Sequence, residues 1–273
     1  MGKFDGILIC TDLDGTLFKN DETVSSENRE AIEYFEREGG YFTFITGRMP
    51  YSAYDAYRAA NPNVPFGCFN GGAVYDGASN EYVWKSVLDE GFEELVELID
   101  ENFSDVGIQL CGLDKTYFAK ENETMEIFRR RTGLPNCICD YRKADFIVAK
   151  IIFGSEKNEE ILEIEKILRS HPLAERFDFV RSEKTLFEML PKGINKGVAL
   201  GKLVEYLGID PKRTVAVGDY DNDVGMLKTA GIGVAVSNAS ESALKAADFV
   251  TVSNEEHAIA SVIHDIEDGK YTF

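Results

Sequence analysis

At 273 residues the chain is long enough for a sizeable core, as one large domain or two smaller ones. Its 44% hydrophobic content is that of a soluble globular protein, and its formal net charge of −19 argues against nucleic acid and anionic membrane surfaces as main partners. No apolar stretch approaches the ~20 residues that a spanning helix needs. The short run after Gly2-Lys3-Phe4-Asp5 soon meets two aspartates, unlike a signal peptide. The five cysteines are odd in number and scattered, which suggests reduced thiols and a cytoplasmic protein.

In chain order, Ile7 to Cys10 reads as a buried strand. Ser25 or Ser26 caps a helix that presents Ala31, Ile32 and Phe35 and stops at Gly39-Gly40. Tyr41 to Thr46 is the next strand, and Pro50 opens another helical stretch. This alternation implies a parallel sheet with right-handed crossovers. After Asn61-Pro62 come short strand-like pieces at Phe66–Phe69, Ala73–Tyr75 and Tyr82–Trp84. Phe92, Leu95, Val96 and Ile99 then mark an amphipathic helix. A strand from Phe146 to Phe153, a helix with Ile161, Ile164, Ile167 and Leu168, and strands at Phe177–Val180 and Leu186–Leu190 complete an α+β texture.

From Asn195 the strand–helix alternation returns. A helix carries Val198, Leu200, Leu203, Val204 and Leu207 and ends at Gly208. It is followed by strand Thr214–Val217, helix Val224–Ala230, strand Gly233–Val236, helix Glu241–Ala247, the run Phe249–Val252 and a last helix. The fold class is therefore α/β: a doubly wound, Rossmann-like parallel sheet with an inserted α+β cap. The expected boundaries are 1–84 and 191–273 for the core and 85–190 for the cap.

Two acidic clusters follow buried-strand runs: Asp12-Leu13-Asp14-Gly15-Thr16 near the start, and Gly218-Asp219-Tyr220-Asp221-Asn222-Asp223 late in the chain. Ligands in open α/β sheets bind at the carboxyl ends of such strands. If the two strands are neighbours, four carboxylates converge on one crevice, a costly arrangement that a divalent cation such as Mg²⁺ relieves. Gly15 allows a sharp turn that Thr16 can hold through backbone hydrogen bonds. The second cluster fails as an EF-hand, because Gly stands at 225 rather than at loop position six and Ala230 occupies the closing Glu position. Ile45-Thr46-Gly47-Arg48 offers hydroxyl and N–H donors to an anion at another strand end. Lys196 stands at a helix start without a Walker A loop before it.

These four segments, in this order and context, resemble the haloacid dehalogenase superfamily, and the chain resembles its Cof-type phosphatase branch over nearly its full length. Asn70-Gly71-Gly72, Pro191-Lys192-Gly193 and Met226-Leu227 also look like that branch. The resemblance implies Asp12 as a nucleophile that takes the phosphoryl group, and Asp14 as the acid that protonates the leaving group and then activates water. It implies Mg²⁺ held by the Asp12 side chain, the Asp14 backbone carbonyl and Asp219, with Asp223 in support. Thr46, the Gly47 and Leu13 backbones, Lys196 and Asn222 are implied to grip the phosphoryl oxygens.

The resulting expectation is a Mg²⁺-dependent phosphatase acting on a small phosphorylated metabolite, with a sugar phosphate as one candidate. A phosphomutase, or a non-catalytic phosphometabolite sensor, is the alternative. Other features receive bland readings. Tyr51, Tyr54 and Tyr57 form a packing stripe, Arg129 to Arg131 end a helix, Cys137-Ile138-Cys139 is incidental, and Glu188 is a solvent-facing strand residue. His171, His257 and His264 lie outside every motif, which disfavours a phosphohistidine mechanism.

Overall fold

The strands of the computed structural model, which describes residues 2–273, are β1 (Leu8–Thr11), β2 (Tyr41–Phe44), β3 (Phe66–Cys68), β4 (Ala73–Asp76), β5 (Glu81–Lys85), β6 (Gly107–Gly112), β7 (Thr116–Lys120), β8 (Val148–Gly154), β9 (Phe177–Glu183), β10 (Leu186–Pro191), β11 (Thr214–Gly218), β12 (Ile232–Ala235) and β13 (Phe249–Val250). The helices are α1 (Ser26–Arg37), α2 (Tyr54–Ala60), α3 (Phe92–Asn102), α4 (Glu123–Arg131), α5 (Asn158–Ser170), α6 (Lys196–Leu207), α7 (Val224–Thr229), α8 (Glu241–Ala246) and α9 (Ala258–Glu267). Two compact units result. One takes in the chain up to Pro50, Tyr54–Lys85 and Asn195–Phe273; the other takes in Tyr51–Ala53 and Ser86–Ile194.

The first unit is built on a parallel sheet in the order β13-β12-β11-β1-β2. Every residue of β1 and β11 is buried, as strands in the middle of a parallel sheet require. Leu8 and Cys10 of β1 and Ala216 of β11 share a core with Ala199, Leu200 and Leu203 of α6 and with Met226 and Leu227 of α7. Helix α1 begins where the Ser25 hydroxyl accepts the Asn28 N–H at 3.2 Å, and it packs on α9 and β2. A small antiparallel sheet, β3-β4-β5, completes this unit.

The second unit has an antiparallel sheet in the order β7-β6-β8-β10-β9. One face carries Ile108, Leu110, Ile151, Phe153, Phe187 and Met189 into a core with Leu95, Val96 and Ile99 of α3 and Ile161, Ile164 and Leu168 of α5. The α/β fold class expected from the sequence is the one observed.

Several local expectations differ from the structure. Strands β6 and β7 are not among the elements read from the sequence; β6 is buried at every residue, and a bulge in the pairing leaves Ala119 of β7 without a partner between Ile108 and Gln109. The strand expected from Phe146 begins at Val148, since Phe146 stacks on Tyr117 with centroids 3.8 Å apart. Glu188 is not solvent-facing: it is buried and its Oε2 lies 2.6 Å from the buried Lys150 Nζ. The three tyrosines form no common packing face. Tyr51 sits in a separate turn at Pro50–Ser52, Tyr54 is exposed, and only Tyr57 packs on Phe66 among them.

One half-buried titratable group of the first unit, Glu36, makes stability depend on pH. Half-burial of Glu36 on α1 pushes its carboxyl up to about 7 from 4.5, and Oε1 is buried without a hydrogen-bond partner. The folded state keeps this proton up to pH about 7, while the unfolded chain releases it near 4.5. Stability therefore declines as pH rises through that window and stays reduced above it. Because the group is half-exposed, the effect is discounted to ~1 kcal/mol. Glu36→Gln should raise the urea midpoint at pH 8 but not at pH 4.5; an equal shift at both values would contradict this.

Candidate active site

The neighbouring strands β1 and β11 bring the two acidic clusters together. Thr11 pairs with Val217, and the Asp12 N–H donates to the Val217 carbonyl at 2.8 Å, so Asp12 and Asp219 leave adjacent strand ends. On the other side of β1, the Ile45 N–H donates to the Thr11 carbonyl at 2.9 Å, which delivers Thr46 and Gly47 to the same edge. The fourth segment arrives as a helix start. The Asn195 side chain accepts the Gly197 N–H at 2.9 Å, and α6 opens at Lys196.

Lys196 is fully buried at the centre of this convergence. Its Nζ donates to Asp12 Oδ1 and to Asp223 Oδ1, each at 2.6 Å. The other Asp223 oxygen accepts the backbone N–H groups of Asp219 at 2.9 Å and Tyr220 at 3.0 Å. The Thr16 hydroxyl donates to Asp219 Oδ1 at 2.9 Å, reaching across to the other cluster rather than holding its own turn. Gly15 allows this approach: its φ is +81°, and a Cβ there would lie 2.6 Å from Asp219 Oδ2.

Three carboxylates converge, not four. Ligand atoms of Asp12, Asp219 and Asp223 all lie within 4.8 Å of one another. The Asp14 carboxylate is half-exposed and accepts Arg48 Nη2 at 2.6 Å and Nε at 3.1 Å, a two-pronged ion pair apart from the cluster. Asp221 is also apart and accepts the hydroxyls of Ser240 and Ser242. Burial pushes the Asp12 carboxyl well above its ordinary value; Lys196 opposes this, while Asp223, Asp219 and Asp14 add to it. Burial, then Asp223, pushes Asp219 up to about 7. Burial pulls on Lys196 in the opposite sense, but Asp12 and Asp223 outweigh it and hold its ammonium above the ordinary range.

The anion-binding candidates line up beside the cluster. The Thr46 hydroxyl accepts the Arg48 N–H at 3.2 Å. Asn222 Nδ2 donates to Asn70 Oδ1 at 2.9 Å, and Asn222 Oδ1 is buried without a partner. Leu13 is buried, and its carbonyl accepts the Phe18 N–H at 2.8 Å to close the loop after β1. Sequence reading gave no role to Arg48, and it set Asn70 beside the motifs without a function. Both act through partners more than thirty residues away, which local spacing does not reveal.

The donor set fits a hard divalent cation. Two buried carboxylates and the partly buried Asp219 face one buried ammonium, so negative charge is in excess, and every side-chain ligand is oxygen. Asp12 and Asp219 have oxygens to offer, whereas both Asp223 oxygens already accept hydrogen bonds.

The family model of haloacid dehalogenase-like hydrolases matches residues 9–263. The chain is 30% identical over 266 residues to 5-amino-6-(5-phospho-D-ribitylamino)uracil phosphatase YitU of Bacillus subtilis, covering 94% of this chain and 96% of that one. It is 26% identical over 279 residues to phosphatase YwpJ of the same organism, covering 94% and 98%. The crystal structure of a haloacid dehalogenase-like hydrolase from Bacteroides thetaiotaomicron superposes with a TM-score of 0.81 at 26% identity, covering 95% of this chain and 99% of that one.

The two ion-pair systems should differ sharply in energetic weight. Lys196→Met leaves Asp12 and Asp223 buried without their shared cation, a loss of ~3–5 kcal/mol. Arg48→Met breaks a pair whose acidic partner is half-exposed and should lose ~1 kcal/mol or less. Urea unfolding of the metal-free proteins measures both. A Lys196→Met protein as stable as the parent would remove the central role given to this ammonium.

Proposed function

The chain belongs to the haloacid dehalogenase-like hydrolase family and is one of its phosphatases; we propose that it hydrolyses a small phosphorylated metabolite through an aspartyl-phosphate on Asp12, with Mg²⁺ as cofactor. The observation that carries this reading is the Lys196 bridge, which holds Asp12 at the strand end beside Asp219, Thr46 and Gly47.

In this reading an Asp12 carboxylate oxygen attacks phosphorus as the ester P–O bond breaks. The leaving alkoxide takes a proton from Asp14 and departs as an alcohol. Asp14, now a base, removes a proton from water; the water oxygen bonds to phosphorus, the Asp12–phosphorus bond breaks, and inorganic phosphate leaves. Arg48 anchors Asp14 outside the carboxylate cluster, so delivery of the proton requires the Asp14 side chain to rotate out of that pair. Thr46, the Gly47 and Leu13 backbones, Lys196 and Asn222 bind the phosphoryl oxygens and stabilise their charge. Asp12, the Asp14 carbonyl and Asp219 would hold Mg²⁺, and Asp223 steadies the site through Lys196 and two backbone N–H groups. The cation, when bound, supplies positive charge that lets a phosphate dianion approach three carboxylates.

The inserted unit is proposed as a cap that selects the organic part of the substrate. The name of YitU, a phosphatase of a phosphorylated ribityl compound, supports a polyhydroxylated phosphate ester as substrate. The odd number and the scatter of the five cysteines support a reducing compartment such as the cytoplasm. Among the described residues, no helix is long and apolar enough to cross a membrane.

Phosphate release should be screened over many phosphomonoesters, with Mg²⁺ and with EDTA. Turnover with Mg²⁺ and its loss in EDTA are expected. Isomerisation dependent on a bisphosphate, without net phosphate release, would favour a mutase instead. Asp12→Asn should abolish turnover, whereas Asp14→Asn should lower it by ~10²–10⁴-fold. Near-normal turnover by either variant would contradict the roles assigned.

A further inference from the structure

Three successive residues of the first unit, Phe69, Asn70 and Gly71, adopt left-handed backbone with φ of 53°, 54° and 97°. This conformation is rare for an aromatic residue, and such strain persists only where the surroundings dictate it. The surroundings here are the anion-binding segments. The Phe69 N–H donates to the Arg48 carbonyl and the Asn70 N–H to the Thr46 carbonyl, each at 3.0 Å. A Cβ on Gly71 would lie 2.0 Å from the Asn195 carbonyl oxygen and 2.7 Å from the Lys196 nitrogen. A Cβ on Gly47 would lie 3.1 Å from both amide atoms of the Asn70 side chain. Asn70 is itself buried, and its Oδ1 accepts Asn222 Nδ2 at 2.9 Å. One strained turn thus touches the segments that carry Thr46, Gly47, Lys196 and Asn222.

We propose that Asn70 is a positioning residue for phosphate, acting by fixing the amide of Asn222; this rests on the phosphatase reading. A phosphoryl oxygen is an acceptor only, so Asn222 can serve it only through Nδ2. Asn70 Oδ1 takes one Nδ2 hydrogen and thereby sets which end of the Asn222 amide is the donor end. The second hydrogen of the same nitrogen remains for the phosphoryl group. The buried Asn222 Oδ1, which has no hydrogen-bond partner, marks an amide placed for the sake of its nitrogen.

A double-mutant cycle tests this with two readouts: kcat/KM on a phosphomonoester with Mg²⁺, and orthophosphate affinity by calorimetry. Asn70→Gly keeps the left-handed backbone and removes the amide; Asn222→Ala removes the donor. Each should reduce kcat/KM by ~10–100-fold and weaken orthophosphate binding, while the double variant should match Asn222→Ala within about twofold. Asn70→Asp keeps both a tolerated left-handed residue and an acceptor, so Asn222→Ala should remain as damaging in that background as in the parent. This arm decides the matter if Asn70→Gly does not fold. Multiplicative effects in the Asn70→Gly cycle, unchanged orthophosphate affinity in Asn70→Gly, or a silent Asn222→Ala in the Asn70→Asp background would overturn the proposal. If no phosphomonoester is turned over, the phosphatase reading fails, and the orthophosphate cycle still decides the role of Asn70.

Discussion

The Lys196 ammonium, set between Asp12 and Asp223, is the interaction on which the first unit's arrangement depends. Burying carboxylates together is unfavourable unless a cation and further donors satisfy them. Lys196 supplies the cation, and the Asp219 and Tyr220 N–H groups supply donors to Asp223. The satisfied cluster ties the ends of β1 and β11 to the first turn of α6, segments drawn from the two ends of the sequence. Asn195 contributes by starting α6 at Lys196, so the long side chain leaves the helix where it reaches both acids.

Two aspartates only two residues apart end in different environments. Asp12 continues β1 and is buried against Lys196, while Asp14 lies after the chain turns and pairs with Arg48 at a half-exposed position. Gly15 lets the loop that follows close against Asp219. In the proposed mechanism the separation of environments gives the buried Asp12 the role of nucleophile and the wetter Asp14 that of acid and base, a division that suits a two-step phosphoryl transfer. The net charge of −19 repels an anionic substrate at long range, so the local charges of Lys196 and Arg48 and the backbone donors at the strand ends have to attract it.

Much of this was legible in the sequence because it is local. The apolar runs of β1 and β11, the cap at Ser25 and the glycine stop at Gly208 each leave a signature within a few residues. The order of the four motifs brings Asp12, Lys196 and Asp219 into one candidate site, and the structure places them together. What escaped were pairings at long range. Thr16 looked like a turn residue and bonds Asp219; Glu188 looked solvent-facing and is buried against Lys150. Asp14 shares a short motif with Asp12, which suggests a common cluster, but spacing does not encode the direction of a side chain in a turning loop, nor its pairing with Arg48 thirty-four residues on. Strand β6 leaves little signature because all six of its residues are buried, so no in-and-out alternation marks it.

The central claim is that the carboxylate held by Lys196 forms a bond to phosphorus. The most direct measurement is a millisecond acid quench of the enzyme turning over a phosphomonoester, followed by peptide mapping of the trapped phosphoryl group. The account predicts an acid-stable, base-labile acyl phosphate on the peptide containing Asp12, formed and consumed at rates consistent with turnover. A phosphoryl group mapped to any other residue would contradict it, as would rapid turnover with no trapped phosphoenzyme in single-turnover experiments able to detect a small fraction of the enzyme.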